Sequence, residues 1–241
     1  GLRVLVPDLR GHGRSGPRAH EGGTWNFDAM VDDMGRFVEL GRELDNGAPI
    51  AFVGHSLAAL LGLAWLGQRP AEPIAAQACL GSDVWNLQAE CKTLRRWTKR
   101  AILSASTVIA ERSQRLPVRS FRAGSNDESI AYWRQLVSWA RSGRWRSANQ
   151  QIDYGAGLRR IRCPTLHIVS AGDRLYGHAA SALRFSAPIR QREVWHIGHP
   201  SAPAALQTLR PGHMAMVTDP RSLPLWRALA HWLCSHFAAT A

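Results

Sequence analysis

Apolar residues come in two rhythms along this chain. Short runs at 2–6, 50–53 and 74–80, mostly aliphatic, read as buried strands, and strand character returns at 165–170 and 192–196. Between them the spacing becomes helical. Phe27, Met30, Val31, Met34, Phe37 and Val38 recur on one face, with Thr24 placed to cap the helix. Residues 57–66 are apolar on every side, which predicts a buried helix. Leu223, Trp226, Leu229, Ala230, Leu233 and Phe237 predict a last one. Strand and helix alternate over 2–80, the pattern of a parallel sheet with right-handed crossovers. The alternation stops at 82–160, where stretches at 86–101 and 128–142 predict helices and no clear strand. The expected architecture is α/β. A mostly parallel sheet flanked by helices is built from 1–81 and 161–241, and 82–160 forms a helical insertion.

Charge alters the picture in that insertion. The 241 residues carry a net charge of +12, and 82–160 holds fifteen basic against six acidic residues. All but Lys92 and Lys99 of the basic residues are arginine. These arginines are scattered and form no recognition motif, which argues against a specific nucleic-acid partner. Five tryptophans, Trp85, Trp97, Trp133, Trp139 and Trp145, are interleaved with them. They are expected to pack inward in a solvated amphipathic cap. A sharper reading makes them an apolar lid over an acyl pocket, in transient contact with lipid interfaces. No apolar run approaches the roughly 20 residues of a membrane helix, and no secretion leader is visible. Cys79, Cys91, Cys163 and Cys234 show no metal-ligand spacing and are expected as free buried thiols in a reducing, cytoplasmic setting.

Candidate chemistry begins at Gly54-His55-Ser56-Leu57-Ala58, between a predicted strand and a predicted buried helix. In an open parallel sheet, such a turn projects its side chain into the crevice beyond the strand ends. A nucleophile turn needs little bulk two residues before and after the serine. Gly54 satisfies this, and Ala58 departs from it by one methyl group. Ser56 is the candidate nucleophile, with helix capping as its bland alternative. The Leu57 N–H would bind an oxyanion, helped by the helix N-terminus, and His55 is expected at the substrate. A serine needs a base, and the base needs an orienting acid. Asp173 stands at the carboxyl end of the strand at 165–170, with Asp83 as the competing acid. His213 lies in a late loop with the reach to meet the serine. His199 competes with it, and His196 lies inside a strand.

These stretches together resemble the α/β-hydrolase superfamily. They are VLVPDLRGHGRSG at 4–16, FVGHSLA at 52–58, PTLHIVSAGDRLYG at 164–177 and PGHMAMV at 211–217, with WRALAHWL at 226–233. The resemblance implies a serine esterase or lipase-like enzyme with Ser56 as nucleophile, Asp173 as acid, His213 as base and 82–160 as cap. It implies a small-molecule acyl ester as substrate and no metal or organic cofactor. Other acyl hydrolases or transferases of the fold, and a catalytically silent binding protein, are the alternatives. In this family the strand before PDLRGHG is the fourth, and a His-Gly loop after the third supplies a second oxyanion donor. The resemblance therefore implies an N-terminally incomplete core, a fragment with weak activity. Fluorophosphonate labelling of Ser56 discriminates enzyme from silent protein.

Overall fold

The computed structural model of the chain describes residues 2–45, 47–121 and 124–238. The elements run α1 (Phe27–Leu44), β1 (Ile50–His55), α2 (Leu57–Gln68), β2 (Ile74–Leu80), α3 (Thr93–Ser113), β3 (Arg115–Leu116), β4 (Glu128–Ser129), α4 (Ile130–Ser142), α5 (Tyr154–Gly157), β5 (Thr165–Ser170), α6 (Ala179–Ser186), β6 (Arg192–Ile197), α7 (Ala215–Thr218) and α8 (Leu223–Ala238). They fall into two compact units. One comprises Val38–Val84 and the chain from Ala156 onward; the other comprises Arg3–Phe37 and Trp85–Gly155. The sequence reading grouped 3–37 with the sheet, whereas its contacts group it with the helical segment.

In the first unit the strands lie in the order β1-β2-β5-β6, all parallel. β2 and β5 are buried along their whole length, and both are largely apolar with a few buried polar side chains. On one face Ala76, Ala78, Leu80, Leu166 and Ile168 pack with Leu225, Leu229 and Leu233 of α8. Glu193 of β6 pins that helix by accepting the indole N–H groups of Trp195 (2.7 Å) and Trp232 (2.8 Å). The other face is partly polar, with Gln77, Cys79 and His167 fully buried. Gly62 lets α2 approach closely, since a Cβ there would lie 2.5 Å from Gln77 Oε1. Ala59 through Gly67 of α2 are buried, as its all-apolar sequence predicts.

The second unit holds α3, α4 and the antiparallel β3–β4 pair. Leu103 and Ala110 of α3 pack with Trp133, Val137 and Ala140 of α4. A second cluster stacks Phe27 against Trp139, Trp145 and Tyr154, with ring centroids 4.9–5.9 Å apart. Asp28 ties it down, accepting from Gln135 Nε2, Tyr154 O–H and the Ala148 amide at 2.7–2.8 Å. Lys99 is buried, 3.2 Å from buried Glu90 and 5.0 Å from the Trp85 ring. Arg95 grips the same carboxylate with two bonds of 2.8 Å. These guanidinium bonds, with the Lys92 amide and Lys99 also contributing, overcome the cost of burial and hold Glu90 down to about 2.

Five sequence expectations need correction. Residues 2–6 form no strand: they pair with no strand among the described residues, and Val4 and Val6 are 76% and 84% exposed. An apolar run becomes a strand only where a neighbour takes its backbone groups. α1 begins at Phe27, and Asn26, not Thr24, caps it, its Oδ1 accepting from the Ala29 amide at 2.9 Å. The helix expected at 86–101 starts at Thr93, because Asn86 holds the amides of Gln88 and Ala89 in a turn. The four cysteines are free, but Cys91 and Cys234 are exposed, in a loop and on an outer position of α8. Trp133, Trp139 and Trp145 are buried, whereas Trp97 is exposed.

Candidate active site

Three loops of the first unit converge at the carboxyl ends of its strands. The first is the turn from β1 to α2. Ser56 sits there at φ 53° and ψ −116°, a backbone region costly for any residue with a side chain. Its amide donates to the Leu80 carbonyl of β2 (2.9 Å), fixing the turn to the sheet. Its hydroxyl makes no cap bond to α2, so helix capping does not account for this serine. Gly54 is required because α2 folds back tightly: a Cβ there would lie 2.4 Å from the Ala59 amide nitrogen. Ala58 is only partly buried, and its methyl group is accommodated. Leu57 opens α2, so its N–H is one of the amides that no intrahelical carbonyl satisfies.

The second loop follows β5. Asp173 is 3% exposed. Its Oδ1 accepts from the Tyr176 amide (3.1 Å) and its Oδ2 from the Gly177 amide (2.9 Å). Burial alone would raise this carboxyl. The hydrogen bond and charge of His213, with the amides of Gly177 and Leu175, outweigh burial and hold it below its ordinary value. The third loop carries His213. Ser170 Oγ donates to the Pro211 carbonyl (2.6 Å), binding this loop to the end of β5. The two loops pass so closely that a Cβ on Gly172 would lie 2.3 Å from the Arg210 carbonyl oxygen.

His213 joins the other two. Its Nδ1 lies 2.6 Å from Asp173 Oδ2, and its Nε2 lies 3.0 Å from Ser56 Oγ. A carboxylate can only accept, so Nδ1 carries the proton and Nε2 is left to accept from the serine. Two further rings flank the imidazole. His55 lies 4.6 Å away and Tyr176 lies 5.0 Å away, centroid to centroid. His55 Nε2 is 3.0 Å from the His213 backbone carbonyl, so this ring donates to the main chain of His213. Burial, reinforced by the positive charge that His213 can carry, pushes His55 down to about 4, so it stays neutral. His199 Nδ1 is engaged with Ser201 and its ring stacks on His196, while Asp83 is not the acid bonded to His213.

Sequence reasoning named Ser56, Leu57, Asp173, His213 and His55 but missed Tyr176 and the close-approach glycines Gly81, Gly172 and Gly177. A Cβ on Gly81 would lie 3.3 Å from His213 Nδ1. Only the run Asp173-Arg-Leu-Tyr-Gly hinted at Tyr176, and apolar periodicity is silent there. Among the described residues, no group of three or more His, Cys, Asp or Glu is placed to hold a metal ion. No described helix is long and apolar enough to cross a membrane.

A parallel sheet flanked by helices, with these loops at the strands' carboxyl ends, is the fold of the α/β-hydrolases. Residues 1–194 match the family described as serine aminopeptidase, S33, and the chain belongs to that hydrolase family. Solved structures share the fold at low identity. A thermophilic esterase from Thermogutta terrifontis is 19% identical, with TM-score 0.56 over 96% of this chain and 79% of that one. The monoacylglycerol lipase of Paleococcus ferrophilus is 14% identical, with TM-score 0.57 over 95% and 82%. A serine hydrolase involved in carbazole degradation is 15% identical, with TM-score 0.51 over 95% and 77%. No curated protein matched the chain.

Proposed function

We propose that the protein is a serine hydrolase that cleaves a carboxylic ester of a small molecule through an acyl-enzyme intermediate. The observation that carries this reading is the continuous row Ser56 Oγ, His213 Nε2, His213 Nδ1 and Asp173 Oδ2, with links of 3.0 and 2.6 Å. His213 removes the serine proton as Oγ attacks the carbonyl carbon, and the carbonyl electrons move to its oxygen. The Leu57 N–H at the start of α2 donates to that oxyanion. Asp173, held ionised below its ordinary range, stabilises the imidazolium that forms. His213 then protonates the departing alcohol, and water repeats the sequence to release the acid. General base catalysis of this kind is worth about 10²–10⁴ in rate.

The test is a fluorophosphonate probe on the folded protein, followed by p-nitrophenyl esters of graded chain length. Labelling and turnover should both vanish in Ser56→Ala. A folded wild-type protein that takes up no probe would instead be a silent binder and would sink the reading. The family description favours one second reading, an aminoacyl amide as substrate. The same active-site chemistry would serve it, and faster turnover of aminoacyl p-nitroanilides than of matched esters would establish it.

A further inference from the structure

The opposite end of the same sheet carries a second concavity. Pro70, Arg159, Arg160, Ile161, Arg162, Arg190 and Gln191 line a cavity of about 350 Å³. These segments precede β2, β5 and β6, so the cavity opens at the strands' amino ends, away from Ser56, Asp173 and His213. Sheet register holds them together: the Thr165 amide donates to the Gln191 carbonyl (2.8 Å), and the Gln77 amide to the Pro164 carbonyl (2.9 Å). Arg160 is anchored, its Nε donating to the Gly67 carbonyl at the end of α2 (2.7 Å). Ile161, 2% exposed, gives the wall a rigid apolar element.

The charge here is unbalanced. Four arginines are among the lining residues, no acidic residue is, and none of the four forms an ion pair with a described residue. Some arginines elsewhere are ion-paired, as in Arg42–Glu72, Arg115–Asp127 and Arg221–Asp219, whereas here four unpaired ones are gathered in one concavity. Like charges gathered in one concavity repel, and a multivalent anion relieves that repulsion. Guanidinium forks match phosphate oxygens two at a time. We propose that this cavity binds a compact polyphosphate group, carried by a free metabolite or by a lipid headgroup. The cavity is too small to follow a nucleic-acid strand, and its lining offers no aromatic ring on which bases could stack.

Calorimetry with sodium tripolyphosphate tests this without reference to hydrolysis. Saturable one-to-one binding that raises the melting temperature and weakens with salt is expected. The variant Arg159→Gln/Arg190→Gln should lose about tenfold or more in affinity, equivalent to about 1.4 kcal/mol per tenfold. Both residues are exposed, so its unliganded melting temperature should match wild type. Arg112→Gln/Arg141→Gln removes the same charge from exposed helical positions elsewhere and should bind like wild type. Equal losses in both variants would reduce the effect to net charge and overturn the proposal. Vesicles bearing phosphatidylinositol bisphosphate separate the sources. Capture on vesicles that tripolyphosphate competes away assigns the headgroup, and tripolyphosphate binding without capture assigns a free ligand. No saturable binding to either overturns the site.

Discussion

Ser56 occupies a backbone conformation that costs a side-chain-bearing residue about 1–3 kcal/mol. The strain comes from the turn, which must bring Ser56 Oγ to His213 while α2 folds back over Gly54. Glycine adopts such angles freely. Ser56→Gly should therefore abolish probe labelling yet raise stability by about 1 kcal/mol in urea unfolding; a destabilised variant would show that the turn is relaxed as it stands. Beside the serine, His55 bonds the His213 main-chain carbonyl. If the proposed base is held through that bond, His55→Phe, which keeps a ring but no donor, should lower kcat about tenfold and leave KM nearly unchanged. His55→Gln restores an N–H donor and should recover part of the loss. A rise in KM alone would place His55 at the substrate instead. That Ser56, Asp173 and His213 meet was legible because each stands just after an apolar strand or in a polar loop before an apolar helix. The link from His55 to the His213 carbonyl was not, since a bond between a side chain and a distant backbone leaves no mark on residue spacing.

Whole elements were most readable where burial is complete. The spans of β2 and β5 follow directly from their largely apolar runs, because every position is buried and none needs a polar side chain facing water. Residues 2–6 carry a similar run and form nothing of the kind, since composition reports what a strand would bury and not whether a neighbour is there to pair. α3 fails differently. Its mixed composition suggests an exposed helix, yet Lys99 is fully buried against Glu90. Removing one charge of a buried pair strands the other. Glu90→Gln should thus cost about 3–5 kcal/mol, while the double change Glu90→Gln/Lys99→Met should cost clearly less. Chemical denaturation of the three proteins measures this, and equal losses would mean that the pair is solvated.

Across the whole molecule, buried histidines contribute to the acid limit, His167 and His55 most strongly. Burial lowers both His167 and His55 to about 4, against an ordinary value of 6.5. An unfolded chain takes up these protons first, so stability is complete above about pH 6.5 and falls as pH drops toward about 4. Each histidine contributes on the order of 3 kcal/mol to that fall. Urea midpoints measured down this range should decline steadily; a flat profile would mean that neither ring is truly desolvated. The strand that carries the serine adds a further consequence. β1 lies at the edge of its sheet, paired only with β2 among the described residues, and Val53 in its middle is 42% exposed. Edge strands open locally at lower free energy than the core they border. On warming, the β1 amides should exchange their hydrogens before those of β2 and β5, and Ser56, the proposed nucleophile, should lose its alignment while most of the sheet is still intact. Inactivation would then report the fraying of one strand and precede the melting of the molecule.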